Sequence, residues 1–368
     1  MKRILPLLLV LSLGATTTAF GCKDKSDNHD KKAGDSPNPG TTPPGQEPGP
    51  TDGPTAEEMN TNPIEGIEPA TSVGEVGAFT DGPVWHAGMG VLFFTTPFGD
   101  GALWRMLPDG RQLKVRDGIP AQFTQPIGNT VTSNGRLITV EAKRIVSQAA
   151  EGGDIELIAA SYTGVDPQRP DPLDPNAPPP PVGDGQFDTL NDVVARKDGM
   201  LYVTDPGYFT PEPGPTSNRI YRVDPTNKTA HVVEKFDDVP RPNGITLSPD
   251  EKTLYVSFTA PVAGTLPFIR KYIVKDDGTL GEWTKFIDIA PAESEPDGLT
   301  VDKAGNVYVA TLAGIEVYKP DGKPWGTLQV PERPTGLAFG GEDMKTLYIT
   351  THGVKIWQVK PKLSGVAP

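Results

Sequence analysis

Oxygen-bearing side chains recur at one position of a short repeated motif in this sequence. Five of the six are Asp or Asn, and most stand at the entrance to a β-rich run. The six residues are Asp81, Asn129, Asn191, Asn243, Asp297 and Thr335. Carboxylate and amide oxygens without His or Cys suit a hard cation such as Ca²⁺. Asx-Gly is also ordinary turn chemistry in repeat proteins, but five Asp or Asn residues in one register favour a metal site.

Six similar segments surround these positions and must place them. Each has a β-rich run, a polar turn such as Lys-Asp-Gly or Ser-Pro-Asp, and a second run of Leu-Tyr-Val type. The segments are 81–97, 128–142, 190–206, 242–259, 296–312 and 334–353. Four short strands in about 50 residues, repeated six times, predict an all-β, six-bladed β-propeller. The first strand of each propeller blade lines the central channel, so the six positions should converge on one axis.

The predicted propeller covers residues 64–368. We expect residues 67–79 to supply the missing strand of the last blade and so to close the ring. A Pro-rich insert at 166–185 separates two blades and is either a solvated loop or a lid. A β-sandwich is the alternative fold, but it would not need six copies of one motif.

The first 63 residues have the sequence features of a targeting signal followed by a linker. Residues 1–21 have a basic start and a short apolar run, which is typical of a signal peptide. The sequence Ala19-Phe20-Gly21-Cys22 resembles the lipobox of bacterial lipoproteins, where the Cys is lipidated after cleavage. The alternative is an ordinary secretory signal with a chance Cys. Residues 22–63 are predicted to be a disordered linker, so we expect a lipid-anchored protein of the bacterial cell envelope.

Composition excludes several classes of function. The chain of 368 residues has one Cys, four His and a formal net charge of −13. A disulfide framework and a Cys- or His-rich zinc site are therefore not expected. The acidic balance argues against nucleic acid as a partner, because phosphate binding needs clustered Lys and Arg. We expect a monomer that acts on a small molecule and meets the membrane only through its anchor.

Several motifs resemble the gluconolactonase/regucalcin-like family, which includes senescence marker protein and luciferin-regenerating enzyme. The matching blocks are Asp81-Gly-Pro-Val-Trp85, Leu190-Asn-Asp-Val-Val194, Tyr202-Val-Thr-Asp-Pro206, Pro242-Asn-Gly244 and Pro296-Asp-Gly298. They span the whole predicted propeller. The resemblance implies a six-bladed propeller with a divalent metal at the mouth of its channel.

The resemblance also implies roles for individual residues. Asp81, Asn243 and Asp297 correspond to metal ligands, and Asn191 to a ligand or a substrate contact. The position of Asp297 is also that of the catalytic acid/base. Ca²⁺ is the first expectation for the metal, with Zn²⁺ and Mg²⁺ as alternatives. Asn129 is expected to orient the substrate with Asn191, and Glu141 to bind substrate hydroxyls unless it is only a solvated strand end.

These features predict a metal-dependent hydrolase of a sugar lactone or related cyclic ester. The cation would polarise the carbonyl, and Asp297 would take or relay a proton from the attacking water. The alternative is a non-catalytic binding module at the cell surface with a structural metal. A third hypothesis is a phosphotriesterase-like activity on the same metal.

Overall fold

The computed structural model describes residues 53–119, 124–165, 185–208, 218–236, 241–259, 266–291 and 294–367. Their strands form six sheets, each built around a set of antiparallel strands that are consecutive in the chain, with the first strand of each blade on the central channel. The predicted six-bladed β-propeller is therefore confirmed. The predicted signal peptide, Cys22 and most of the linker and the Pro-rich insert lie outside the described residues. Among the described helices, none is long and apolar enough to cross a membrane.

The strands follow the repeats of the sequence. In the first two blades they are β2 Asp81–His86, β3 Val91–Thr95, β4 Ala102–Met106, β5 Gln112–Asp117, β6 Pro126–Val131, β7 Arg136–Glu141, β8 Arg144–Ala149 and β9 Glu156–Ala159. In the third blade they are β10 Ser161–Val165, β11 Gly185–Gln186, β12 Val193–Ala195, β13 Leu201–Asp205, β14 Asn218–Asp224 and β15 Thr229–Phe236.

The remaining strands complete the ring. In the fourth and fifth blades they are β16 Arg241–Leu247, β17 Thr253–Thr259, β18 Phe268–Val274, β19 Leu280–Asp288, β20 Leu299–Val301, β21 Val307–Thr311, β22 Gly314–Tyr318 and β23 Pro324–Leu328. In the sixth blade they are β24 Pro334–Gly340, β25 Thr346–Thr351, β26 Lys355–Val359 and the N-terminal strand β1 Thr71–Glu75.

The core lies between neighbouring blades. The second strands, such as β3 (VLFFT) and β21 (VYVAT), are buried at every position because a blade covers each of their faces. Apolar clusters therefore combine two adjacent blades, as where Trp85, Leu92 and Phe94 of the first blade pack against Ala338 and Ile356 of the sixth. This explains the continuous apolar runs of the second strands in the sequence.

The last blade is closed by the N-terminal strand. β1 pairs antiparallel with β26, with Thr71 opposite Gln358 and Glu75 opposite Lys355. The sequence placed this strand within residues 67–79, and the structure confirms it. Ring closure joins the two ends of the chain in one sheet, so the first and last blades cannot separate without breaking this pairing.

Two features differ from the expectations. The third blade has an added edge, because β10 pairs parallel with β15 and carries β11 on its other side. The predicted linker also ends earlier than residue 63, since a helix, α1, spans Ala56–Asn60. A capping box between Thr55 and Glu58 starts this helix, and Glu58 forms an ion pair with Lys303 of the propeller. These local contacts order a segment that lacks an apolar pattern.

The propeller has two distinct faces. The first strands begin at one face, here called the mouth face, and the turns between first and second strands form the opposite turn face. Pro54 lies in a groove with turn residues such as Asp250 and Lys303. Val366 and Ala367 line the turn-face end of the channel. Both ends of the described chain therefore lie at the turn face.

Candidate functional site

Glycines pack the six first strands tightly around the channel. A Cβ atom on Gly244 would lie 2.5 Å from the carbonyl oxygen of Asp297, and one on Gly298 would lie 2.7 Å from that of Thr335. Each glycine thus meets the backbone of the next blade. The equivalent residues around the ring are Gly82, Gly128, Asp192, Gly244, Gly298 and Gly336. The residue before each of the first five stands at the mouth of the channel. Thr335, before Gly336, is instead fully buried and donates to the Thr80 carbonyl oxygen.

This packing corrects the register of the second blade. A Cβ on Gly82 would meet the carbonyl oxygen of Ile127 and the Cα of Gly128, so Ile127 holds the position assigned to Asn129. A second contact agrees: Thr95 Oγ1 donates to the Ile127 carbonyl at 2.7 Å, as Ser257 Oγ does to that of Asp297. The repeated Asx position is therefore apolar in this blade.

Asn129 forms structural hydrogen bonds and does not line the mouth of the channel. Its Nδ2 donates to the carbonyl oxygen of Gly82 at 2.7 Å, and its Oδ1 accepts from Thr139 Oγ1 at 2.8 Å. The side chain is buried and links the first and second blades. The expectation that Asn129 orients a substrate at the mouth is thus not met by its placement.

Four of the predicted residues do converge. Asp81, Asn191, Asn243 and Asp297 lie together on the floor of a cavity of about 470 Å³ that opens at the mouth face. The remaining described lining residues are Phe79, Pro97, Phe98, Gln125, Ile127, Thr189, Tyr208, Thr259, Glu295, Arg333 and His352. We call this space the mouth cavity.

Burial and mutual repulsion dominate the electrostatics of the floor. Burial raises the pKa of Asp81 to about 6, against the opposing hydrogen bond from the Gly82 backbone N–H. The pKa of Asp297 lies well above its usual range, first because of burial and then because of the charge of Asp81. Two acidic groups that share a partly buried site favour either a proton or a cation between them.

The amide side chains complete a set of oxygen donors. Asn243 Nδ2 donates to the Tyr208 hydroxyl at 3.0 Å, and its Oδ1 accepts no hydrogen bond from the described residues. The Tyr208 hydroxyl is in turn 3.1 Å from Thr259 Oγ1, so the second strand of the fourth blade fixes its position. The Asn191 side chain and the Asp297 carboxylate accept no hydrogen bond from the described residues. These oxygens are available to a ligand.

Asp192 is a further acidic residue near the floor, and the sequence motif alone did not predict a role for it. Its Oδ2 accepts from the Ile245 N–H at 3.0 Å and its Oδ1 from the Val193 N–H at 2.8 Å. Burial raises its pKa to about 7, and the charge of Asp81 adds to the effect. At the position where the other five first strands have a glycine, the third blade thus has a carboxylate that accepts a hydrogen bond from the fourth blade.

Glu141 is not part of the mouth cavity. It is fully buried, and its carboxylate forms ion pairs with Arg116, at 2.7 Å, and with Arg144. Two guanidinium groups thus balance its charge at the end of the second strand of this blade. This corrects the expectation that Glu141 binds substrate hydroxyls, and also the alternative of a solvated strand end.

The donor set fits a hard divalent cation. Among the described residues no group of three His, Cys, Asp or Glu side chains has metal-binding geometry. An ion on the floor would therefore take two carboxylates, from Asp81 and Asp297, together with the amide oxygen of Asn243. Buried carboxylates with raised pKa values gain most when a cation replaces their protons.

A comparison with known families places the chain. Residues 79–353 match the family model described as SMP-30/Gluconolactonase/LRE-like region. The chain belongs to this family. All four floor residues of this SMP-30/gluconolactonase-like protein lie within the matched region, so the family resemblance of the motifs is confirmed.

Curated relatives share this region. The chain is 28% identical over 277 residues to pentonolactonase XacC of Haloferax volcanii, an alignment that covers 74% of this chain and 81% of the relative. It is 30% identical over 184 residues to a gluconolactonase of Zymomonas mobilis, covering 46% of this chain and 50% of that one. The chain therefore spans only about half the length of the second relative.

Solved structures agree on the fold. A gluconolactonase from Xanthomonas campestris superposes with a TM-score of 0.64 at 23% identity, covering 79% of this chain and 89% of that one. A structure named as the calcium-binding protein regucalcin, from Agrobacterium tumefaciens, gives a TM-score of 0.63 at 17% identity, covering 82% and 96%.

Sequence reasoning missed the residues that form the cavity wall. Three of them, Gln125, Glu295 and Arg333, stand one position before a proline that precedes or opens a first strand. Each lies two positions before the residue that its first strand places at the channel, and its side chain lines the cavity. A polar residue followed by Pro, two positions before the repeated channel position, is the signal that could have found Gln125, Glu295 and Arg333.

Proposed function

We propose that this protein is a metal-dependent hydrolase that opens a sugar lactone or a related cyclic ester. One observation supports it above all: the carboxylates of half-buried Asp81 and buried Asp297 share the floor of an open cavity with the Asn243 amide oxygen, which accepts no hydrogen bond from the described residues. The predicted class of enzyme, a carboxylic ester hydrolase, is confirmed by the relatives named pentonolactonase and gluconolactonase.

Asp81, Asn243 and Asp297 would hold the metal, with Asn191 as a further ligand or a substrate contact. Oxygen donors alone favour Ca²⁺, with Zn²⁺ and Mg²⁺ as alternatives. When bound, a divalent cation supplies positive charge that polarises the lactone carbonyl and stabilises the charge that develops on its oxygen. The hydrogen bond from Asn243 Nδ2 to the Tyr208 hydroxyl orients the Asn243 amide, so that the nitrogen faces Tyr208 and Oδ1 is the atom left for a metal.

Asp297 is proposed as the acid/base. Its carboxylate accepts no hydrogen bond from the described residues and lines the cavity, so an attacking water can donate a proton to it. Asn191, which lines the same floor, would orient the substrate through its side-chain amide. The same protonated Asp297 would then return the proton to the leaving alkoxide oxygen as the ring opens.

The test is hydrolysis of a panel of aldonolactones by purified protein, followed by proton release in a weakly buffered pH-indicator assay. Chelation should abolish turnover, and added Ca²⁺, Zn²⁺ or Mg²⁺ should restore it to different degrees. A protein that binds metal tightly but opens no lactone or ester in the panel would contradict the proposal. That result would favour the non-catalytic binding module with a structural metal.

We also propose that the protein is exported and held in the bacterial cell envelope by lipid on Cys22, as a monomer without nucleic-acid partners. The support is the lipobox-like sequence at 19–22, which contains the only Cys of the chain. Replacement of Cys22 by Ser should move the protein from the membrane fraction to the soluble fraction of exported protein, with lactone turnover unchanged. Persistent membrane association of the variant would contradict the anchor.

A further inference from the structure

Gln125 is a buried polar residue on the wall of the mouth cavity. It stands before Pro126, at the start of the first strand of the second blade, and is only 5% exposed. Its Oε1 is fully buried and accepts no hydrogen bond from the described residues. A buried acceptor without a donor costs folding free energy, and native proteins keep such groups mainly where a ligand or water completes them.

The other residues of the wall restrict which ligand could donate a hydrogen bond to Gln125. Arg333 lines the same cavity, but its guanidinium lies 2.6 Å from Glu295 Oε2, which balances its charge. Arg333 Nε is itself buried and has no acceptor among the described residues. Within the described part of the chain, the wall therefore carries an acceptor without a donor, on Gln125, and a donor without an acceptor, on Arg333, and Glu295 balances the positive charge. Hydroxyl groups match both, because a hydroxyl donates and accepts.

An aromatic edge lies along the same cavity. The Phe79 ring packs edge-to-face against Phe98, with centroids 5.1 Å apart, and against His352, at 4.7 Å. Phe98 is 70% exposed although it is a large apolar side chain. Apolar surface beside isolated polar groups suits a ring that has C–H faces and hydroxyl edges.

We propose that Gln125 is a specificity-determining residue that accepts a hydrogen bond from a ring hydroxyl of the lactone. The inference rests on the proposed lactone hydrolysis and narrows its substrate class. The preferred substrate is an uncharged, hydroxylated lactone, and both unsubstituted lactones and lactones with an anionic substituent are poorer substrates. Gln125 lines the wall and not the metal-binding floor, so it affects recognition of the substituents more than the chemistry at the ester.

The experiment compares two six-membered lactones that share the reacting ester. D-Glucono-1,5-lactone carries ring hydroxyls, and δ-valerolactone carries none. Gln125→Met keeps the length of the side chain and removes the amide. We expect kcat/KM for gluconolactone to fall about tenfold or more, while that for δ-valerolactone changes less than about threefold. Gln329→Met, at an exposed glutamine outside the cavity lining, is the matched control and should change neither value.

Thermal stability separates recognition from a structural role. Because the substitution removes a buried acceptor that has no partner, Gln125→Met should melt at or above the temperature of the wild-type protein. A lower melting temperature would assign Gln125 to the fold. Equal losses on the two lactones, or no loss on either, would overturn the proposed recognition.

Failure of the proposed lactone hydrolysis can be distinguished from failure of the proposal for Gln125. If the wild-type protein hydrolyses neither lactone, lactone hydrolysis is wrong, and ligand binding decides the role of Gln125. The probe is then 1,5-anhydro-D-glucitol, a hydroxylated ring without an ester. It should raise the melting temperature of the wild-type protein and not that of Gln125→Met. Equal shifts for the two proteins, or no shift for either, would overturn the inference.

Discussion

Asp297 combines the three properties that the proposed chemistry needs in one side chain. It is buried, it lines the open cavity, and its carboxylate receives no hydrogen bond from the described residues. Asp297→Asn keeps the shape and one ligand oxygen but removes the charge and the base. We expect lactone kcat to fall about 10²- to 10⁴-fold, measured by proton release. The fold should persist, because a buried charge is removed, and activity within tenfold of wild type would contradict the assignment.

The acidic floor predicts an unusual dependence of stability on pH. Burial raises the folded-state pKa of Asp81 to about 6 and that of Asp192 to about 7, so both groups bind protons more tightly in the folded than in the unfolded state. Their contribution to stability therefore increases as the pH falls from about 7 towards their unfolded values near 4. Melting temperatures of the chelated protein at pH 7.5, 6.5 and 5.5 should rise in that order.

Metal should reverse this behaviour, because a bound cation competes with protons for the same carboxylates. With saturating Ca²⁺ the protein should melt highest near pH 7.5, and the gain from Ca²⁺ should shrink at pH 5.5. Asp81→Asn is the control and should weaken both trends. A chelated protein whose melting temperature falls steadily with acid would contradict the raised pKa values.

Single residues show where the sequence was informative. Asp81, Asn191, Asn243 and Asp297 could be predicted because each precedes a glycine, or Asp192, at a fixed distance from the second strand. This pattern did not predict the channel residue of the second blade, because that residue is the apolar Ile127. Asn129, two positions later, was assigned to the position instead. Arg144 is only three residues from Glu141, but the second partner, Arg116, comes from the neighbouring blade, and this contact leaves no local pattern.

At the scale of the strand, the residue after each channel position, a glycine in five of the six blades, sets how closely the blades approach. Gly244→Ala would place a methyl group 2.5 Å from the backbone of Asp297, where no flexible side chain can move aside. We expect it to destabilise the protein by about 1–3 kcal/mol and to weaken metal binding through displacement of Asp297. Urea unfolding and calcium titration measure the two effects.

Gly53→Ala is the control for this substitution, since nothing lies within 4 Å of the added carbon. It should leave both stability and calcium affinity unchanged. Unaltered stability of Gly244→Ala would show that the first strands can separate at no cost, contrary to the packing observed around the channel.

Strand-level prediction succeeded where the pattern was repeated. Six copies of two apolar runs around a polar turn are readable because each second strand is buried between blades. The added strands β10 and β11 were not predicted, because β10 joins β15 in parallel across a long connection and has no counterpart in the other blades. The helix α1 was missed for the opposite reason: it depends on one capping box and one ion pair within a polar segment.

At the scale of the whole molecule, β1 is the element that makes the ring continuous. A chain that begins at Gly77 would lack β1 and leave β26 as an open edge of the sixth blade. We expect it to melt well below the protein that begins at Gly53 and to aggregate, because an unpaired edge strand exposes backbone groups. Differential scanning calorimetry measures the first effect and light scattering the second.

A chain that begins at Thr71 is the informative intermediate. It retains β1 but lacks α1. It also lacks the packing of Ile64 and Ile67 against the apolar cluster between the fifth and sixth blades. Its melting temperature should lie between those of the other two proteins and nearer to that of the longer one. If the chains that begin at Thr71 and Gly77 melt alike, strand closure contributes little and the segment before β1 is the stabilising part.

The positions of the chain ends determine how the protein can be attached to a surface. Pro54 lies among the turns opposite the mouth cavity, whereas Val366 and Ala367 line the far end of the channel. A bead, a fusion partner or a natural anchor joined ahead of Pro54 therefore attaches behind the cavity, and diffusion of substrate into the mouth stays unobstructed. Attachment through the C-terminus instead pulls on residues that pack inside the barrel of first strands, so N-terminal immobilisation is the orientation that the architecture supports.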